Sequence, residues 1–344
     1  MSWYGAVPTS SLPANATSYQ VRISTPDDWV MTMIWGIWTA AAAVDLLFTG
    51  TLLVVVLSTP KVRESAFNLY LAALVGPDFL SSCGFVLTNT LNLIYHEYVS
   101  SAMCKWQAFY GTFAIAGSFW MNALVAFELY RLLAATKRLR NFVPPPPRVA
   151  AARCLGVYAL AAFISAMPSL GMVPVHPMPL RGLVCLPDPA SPDEEPFFLV
   201  VYFSLFCVIP LILSLVIAFI SWWTGLIRFG DNSRAQQSPS RTILSLGAEP
   251  DLPAIHRVGQ ARSLSVYFVR LFLACLMWLP GIGLNIYADR SAIPIAMAIS
   301  WMLMLNTVAV PLSFAKRDVR GALENLLPYR KGRAAISSTE LQTL

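Results

Sequence analysis

The chain has 344 residues, of which 56% are hydrophobic and only 12% charged, with a formal net charge of +6 and a mean hydropathy of +0.60. Soluble domains carry about a quarter charged residues, so this composition excludes a water-soluble enzyme, and its apolar content excludes a largely disordered chain. The basic residues sit in short clusters between apolar runs, as membrane-flanking charge does, which excludes a nucleic-acid-binding surface.

Seven apolar stretches follow one another at 29–57, 66–93, 104–134, 149–172, 197–223, 263–288 and 293–314. Each is long enough to cross about 30 Å of hydrocarbon at 1.5 Å per residue, and each must be helical because lipid offers backbone groups no other partner. The expectation is an all-α membrane protein, a seven-transmembrane helix bundle over residues 29–315. Lys and Arg set its orientation. With the N-terminus outside, 19 of the 24 fall on cytoplasmic segments, and only Arg22, Lys105, Arg181 and Arg290 fall outside; positive segments stay inside.

Residues 1–28 form the outer tail. They lack a basic start followed by a short apolar core, so the first span itself directs insertion. Asn15-Ala16-Thr17 is a glycosylation acceptor on this tail. Cys104 and Cys185 are the two of six cysteines placed at or beyond outer helix ends, where the oxidising side lets them pair; two unpaired thiols is the other reading. Cys83, Cys154, Cys207 and Cys275 read as small core residues.

Ionisable side chains inside a bilayer are costly and mark candidate sites. Here they are Asp45, Asp78, Glu128 and Arg270. Glu128 and Arg270 lie near inner helix ends, where they either snorkel to water or pair. Asp78 is deeper, after Gly76-Pro77, and needs partners.

This ordered set resembles the rhodopsin-like G-protein-coupled receptors over nearly all of 29–327. Asn68 and Asp78 have the ten-residue separation of that family's second helix. Met277-Trp278-Leu279-Pro280 is similar to its sixth-helix Cys-Trp-x-Pro motif, and Pro210 to its fifth-helix proline. Asn306, Pro311 and Phe314, followed by Lys316-Arg317-Asp318-Val319-Arg320, look like a diverged Asn-Pro-x-x-Tyr motif leading into an eighth, membrane-surface helix. The resemblance implies a Cys104–Cys185 disulfide, a small-molecule ligand, a heterotrimeric G-protein partner and a plasma-membrane location.

Several positions depart from the pattern. The family's Asp-Arg-Tyr triplet falls on Glu128-Leu129-Tyr130, so Leu129 replaces the arginine that engages the G protein, with Arg131 two positions on; this leaves coupling open. Gly50-Thr51 stands for the Gly-Asn pair, the helix-four Trp is missing near Tyr158, and Val310 replaces the helix-seven Asn. Glu128 must then find another partner, and Arg270 on the sixth span is the expected one, with Arg131 as its competitor.

Ser118 lies fourteen residues below Cys104, about 21 Å along a helix, near the depth of Asp78. Asp78, Ser118 and Asn306 thus form one candidate switch cluster, with Trp278 above it, able to offer oxygen ligands to sodium; a protonated Asp78 without an ion is the alternative. A ligand pocket is expected among Trp106, Phe109, Tyr110, Phe113, Tyr202, Phe203, Phe206, Trp278, Tyr287, Trp301 and Met304; side chains that face lipid or pack helix to helix are the other reading. Gly111 stands where amine-binding relatives carry an Asp, which favours a neutral or lipophilic ligand. No cofactor is expected, and retinal is disfavoured because the seventh span has no Lys, Met304 standing near where the pigment's would be.

Val319, Ala322, Leu323, Leu326 and Leu327 recur at helical spacing after Lys316, Arg317 and Arg320, so 316–327 reads as an amphipathic helix on the inner leaflet, with 328–344 a cytoplasmic tail. Pro144 to Pro147 stiffen the second inner loop. The third, 228–262, reads as a solvated linker or a phosphorylation target. His96, His176 and His256 are scattered, so no metal centre assembles, and no constellation suggests catalysis. A transporter or channel of seven helices, or a non-signalling scaffold, is the competing class; no internal repeat between the halves supports a transporter.

Overall fold

A computed structural model of the chain describes residues 28–95, 101–137, 145–180, 183–189, 193–224 and 317–326. Five of the described helices are long and apolar enough to cross a membrane. We name them α1 (Asp28–Ser58), α2 (Ala66–Tyr95), α3 (Ser101–Lys137), α4 (Pro147–Ala166) and α5, which runs from Glu195 to Trp223. On α1 the buried residues Met31, Ile34, Trp35, Trp38, Ala42, Asp45, Thr49, Leu52, Val55 and Val56 recur every three or four positions, one stripe of a helix with a period of 3.6. Opposite faces carry exposed apolar side chains such as Leu47, Leu155, Val200 and Trp223, an arrangement suited to hydrocarbon.

Helices α2, α4 and α5 pack against α3, and α1 packs against α2. At the inner end Leu52, Val55 and Val56 of α1, Leu71, Leu74 and Val75 of α2, Met121, Val125 and Leu129 of α3, and Ala150 and Cys154 of α4 form one apolar cluster. A further described helix, α6 (Arg317–Leu326), seals that cluster from below by adding Val319 and Ala322, while Arg320 pairs with Glu324 on its outer face at 3.3 Å.

Among the described residues, Pro77 and Pro210 lie in helix interiors, and each leaves a carbonyl without its helical donor. Pro77 in α2 cannot donate to Ala73, four residues back. The hydroxyl of Tyr158 on α4 donates to the Ala73 carbonyl instead. Gly76 makes this approach possible, since a Cβ there would meet the Tyr158 oxygen at 2.6 Å, and Gly117 of α3 leaves room for the Pro77 ring, which a Cβ would meet at 3.0 Å. In α5 the segments Phe198–Tyr202 and Ser204–Val208 are wound as π-helix, with the Ile209 N–H bonded to Ser204. The next bond in that register would come from residue 210, a proline. Its acceptor, the Leu205 carbonyl, takes the indole N–H of Trp120 on α3 at 3.2 Å.

Two features differ from the sequence expectation. The expected fourth span runs to Met172, but α4 ends at Ala166, where Pro168 brings no N–H for another turn and Gly171 takes φ of +65°. The following connection holds a hairpin that hydropathy did not reveal, β1 (His176–Leu180) antiparallel to β2 (Val184–Asp188), with Met178 opposite Leu186 and Leu180 opposite Val184.

Candidate functional site

The hairpin is fastened over the outer ends of α1, α2 and α3. Cys185 of β2 is bonded to Cys104 of α3, with Cα atoms 5.2 Å apart. Gln107, one turn further along α3 and fully buried, accepts from the Cys185 backbone N–H at 2.7 Å. The indole N–H of Trp35 on α1 donates to the Leu183 carbonyl at 3.1 Å. Leu183, Val184 and Cys185 are all buried. A Cβ on Gly111 would meet the Leu186 side chain at 3.3 Å, so this strand fills the space beside the glycine.

Below the hairpin the pocket aromatics form linked groups, with Trp106 also 5.9 Å from the Tyr110 ring and Phe113 packed against the cluster of Tyr202 and Phe206. Trp106 stacks on Phe109 at 5.9 Å, Phe109 on Phe113 at 6.2 Å, and Phe113 approaches Tyr158 of α4 at 6.0 Å. That stripe runs along the α4 side of α3, with Trp106 half exposed at its outer end. Tyr110 turns the other way, to Thr88 of α2 at 2.8 Å; Gly84 admits its ring, which a Cβ would meet at 2.8 Å. Tyr202, Phe203 and Phe206 of α5 pack together at 5.2 Å, and the Tyr202 hydroxyl donates to the Ile164 carbonyl of α4 at 3.3 Å.

Two buried acids occupy mid-membrane depth. Asp78 accepts from the Ser118 hydroxyl of α3 at 3.0 Å. Asp45 of α1 accepts from Ser82 of α2 at 2.5 Å, a contact that ties the first two helices together and that spacing alone did not suggest. Both carboxylates are shielded from solvent, where a buried polar group is normally hydrogen-bonded.

At the inner end of α3, Glu128 is 1% exposed. The Arg131 guanidinium reaches both its oxygens at 3.2 Å, and Arg153 of α4 donates to one of them. Leu129 is buried in the inner apolar cluster, and Tyr130 is half-buried beside it.

Over residues 49–313 the sequence matches the seven-transmembrane receptors of the rhodopsin family. The chain belongs to that family. As a rhodopsin-family receptor it is an integral, multi-pass membrane protein. Its fold is similar to squid rhodopsin, with 14% identity, a TM-score of 0.66, and coverage of 89% of this chain and 87% of the other. No curated protein sequence matches it.

In this rhodopsin-family chain the structure joins Cys104 to Cys185 and Asp78 to Ser118, and gives Glu128 two arginines. Arg153, the seventh residue of α4, is a partner that the sequence reading does not name; a buried acid that needs a partner is the signal that points to it. Arg270, Trp278, Trp301, Met304, Asn306, Pro311 and Phe314, and the glycosylation acceptor Asn15, lie outside the described residues.

Proposed function

We propose that the chain is a non-enzymatic receptor of the plasma membrane that takes a neutral or lipophilic small molecule in its outer half and passes a conformational signal to a heterotrimeric G protein. The observation that carries this reading is the inner end of α3, where a buried Glu128 is held by Arg131 and Arg153 and Leu129 is packed away in the core. A buried acid shared by two helices is a two-state element: holding it fixes α3 against α4, and releasing it exposes charge toward a cytoplasmic partner. Leu129 cannot donate a hydrogen bond to that partner, so Arg131, half exposed at 44%, supplies the cation in its place.

The ligand class rests on Gly111 and Leu186: an aliphatic side chain lies against the position where an amine would need an acid. Retinal has no lysine on the seventh span to form a Schiff base. Asp78 with Ser118, completed by Asn306 and Trp278, is the proposed sodium-linked switch.

The test is guanine-nucleotide exchange on a panel of G proteins by the full-length receptor in nanodiscs, with Leu129→Arg as a sensitised form. Exchange that rises with the receptor, and further with Leu129→Arg, supports the reading. Ion or solute flux in proteoliposomes with no exchange by either form overturns it in favour of a transporter or channel.

A further inference from the structure

The outer compartment between α1, α2 and α3 contains two polar side chains that the mechanism above does not use. Asn89 and Asn92 on α2 are fully buried, and among the described residues neither the amide N nor the amide O of either makes a hydrogen bond. An asparagine amide brings two donors and an acceptor, and leaving these unmade in an apolar interior costs more than making them gains.

Their direction follows from the helix itself. On α2, Ser82 marks the side facing α1, where it bonds Asp45, and Thr88 marks the side facing α3, where it meets Tyr110. At 100° per residue these directions are about 120° apart, and Asn89 and Asn92 fall between them, about 60° from each other. Phe85, one turn further in, touches Trp38 at 6.3 Å and Tyr110 at 5.7 Å and forms the floor. Leu183 and Val184 of the hairpin join Trp35, Trp38, Phe85 and Tyr110 in one apolar cluster above and around it.

The compartment therefore offers amide groups inside an aromatic shell. The residues packed around it are apolar and aromatic, and a hydrocarbon in that space would leave both amides unmade. We propose that Asn89 and Asn92 are the recognition site for a neutral ligand that carries an amide group on an aromatic or aliphatic body. The site is closed over in this structure, so binding requires the compartment to open. This deepens the functional reading, on which it rests for the expectation of a neutral ligand, and it assigns polar recognition to α2.

The probe is N-acetyl-L-phenylalaninamide, with n-propylbenzene as the matched hydrocarbon, added to the full-length receptor in phosphatidylcholine nanodiscs. The amide should raise the thermal midpoint and n-propylbenzene should not. The Asn89→Leu/Asn92→Leu variant should weaken the response by about tenfold or more, while its own unliganded midpoint is equal to or above that of wild type. No response up to about 10 mM, an equal response in the variant, an equal effect of the hydrocarbon, or an unliganded variant of lower midpoint each overturns the proposal. Should the variant fail to fold, wild-type receptor labelled with 15N-asparagine decides. Probe-dependent shifts of two side-chain amide signals support the site, and water contacts unaffected by the probe show a hydration site and overturn it. Nucleotide exchange without probe binding sinks only this site; probe binding without exchange sinks only the signalling reading.

Discussion

Replacing Tyr158 with Phe removes one oxygen atom and leaves the ring that stands against Phe113. Its hydroxyl donates to the Ala73 carbonyl, whose helical donor would be residue 77, a proline. An unpaired buried carbonyl costs roughly 1–3 kcal/mol, and hydrogen bonds between membrane helices reach at most about 1.7 kcal/mol. The expected loss is therefore about 1–1.7 kcal/mol, near the top of the membrane range because α2 itself offers no substitute. A second substitution isolates the cause. Pro77→Ala restores an N–H to Ala73, so Tyr158→Phe in that background should cost much less, with a coupling of about 1 kcal/mol in the double-mutant cycle. The assay is thermal unfolding in detergent, reported by labelling of the buried thiols of Cys154 and Cys207. An equal cost of Tyr158→Phe in both backgrounds would refute the reasoning, since the hydroxyl would then be stabilising something other than the carbonyl opened by Pro77.

The same logic applies to α5: Trp120→Phe should destabilise by about 1 kcal/mol, and Pro210→Ala should relieve most of that loss in the same thermal assay. Cys104→Ser should lose roughly 2–5 kcal/mol and lower surface expression; mass spectrometry that finds both thiols free in the mature protein would remove the basis of the prediction. Arg153→Ala should raise basal nucleotide exchange more than Arg131→Ala, because only Arg153 joins α3 to α4; its stability cost, about 1–2 kcal/mol, is below that of a fully broken buried pair because Arg131 remains. Asp78→Asn should change basal exchange and its response to sodium without abolishing folding, and an unchanged sodium response would count against the switch role of Asp78.

The transmembrane helices were legible because hydrocarbon thickness and backbone satisfaction leave an apolar run of that length one option, and α1, α2, α3 and α5 lie close to the expected spans. The hairpin was not, for a physical reason: His176-Pro177-Met178-Pro179-Leu180 and Val184-Cys185-Leu186-Pro187-Asp188 carry prolines that argue against strands, and Pro177 stands opposite Pro187. A two-stranded ribbon has two open edges, where a residue without an N–H is tolerated. Asp78 with Ser118 was readable from helical rise alone. One partner of Glu128, Arg131 three residues on, was readable; the other was not, since Arg153 comes from α4, and spacing along one helix says nothing of what its neighbour presents. Pro77 and Pro210 announced unfilled acceptors; only packing reveals that Tyr158 and Trp120 fill them.

Those two proline contacts also order events during synthesis. Ala73 and Tyr158 are 85 residues apart, as are Trp120 and Leu205, but the roles are reversed: in the first the acceptor is made before its donor, in the second the donor is already there. At roughly 5–20 residues per second, α2 waits roughly 4–17 s for the residue that completes it, whereas α5 leaves the ribosome with its partner waiting. Slowed elongation between α2 and α4 therefore prolongs the incomplete state of α2 and leaves α5 untouched, so the nascent chain is most vulnerable to capture by quality control before its fourth helix has been made.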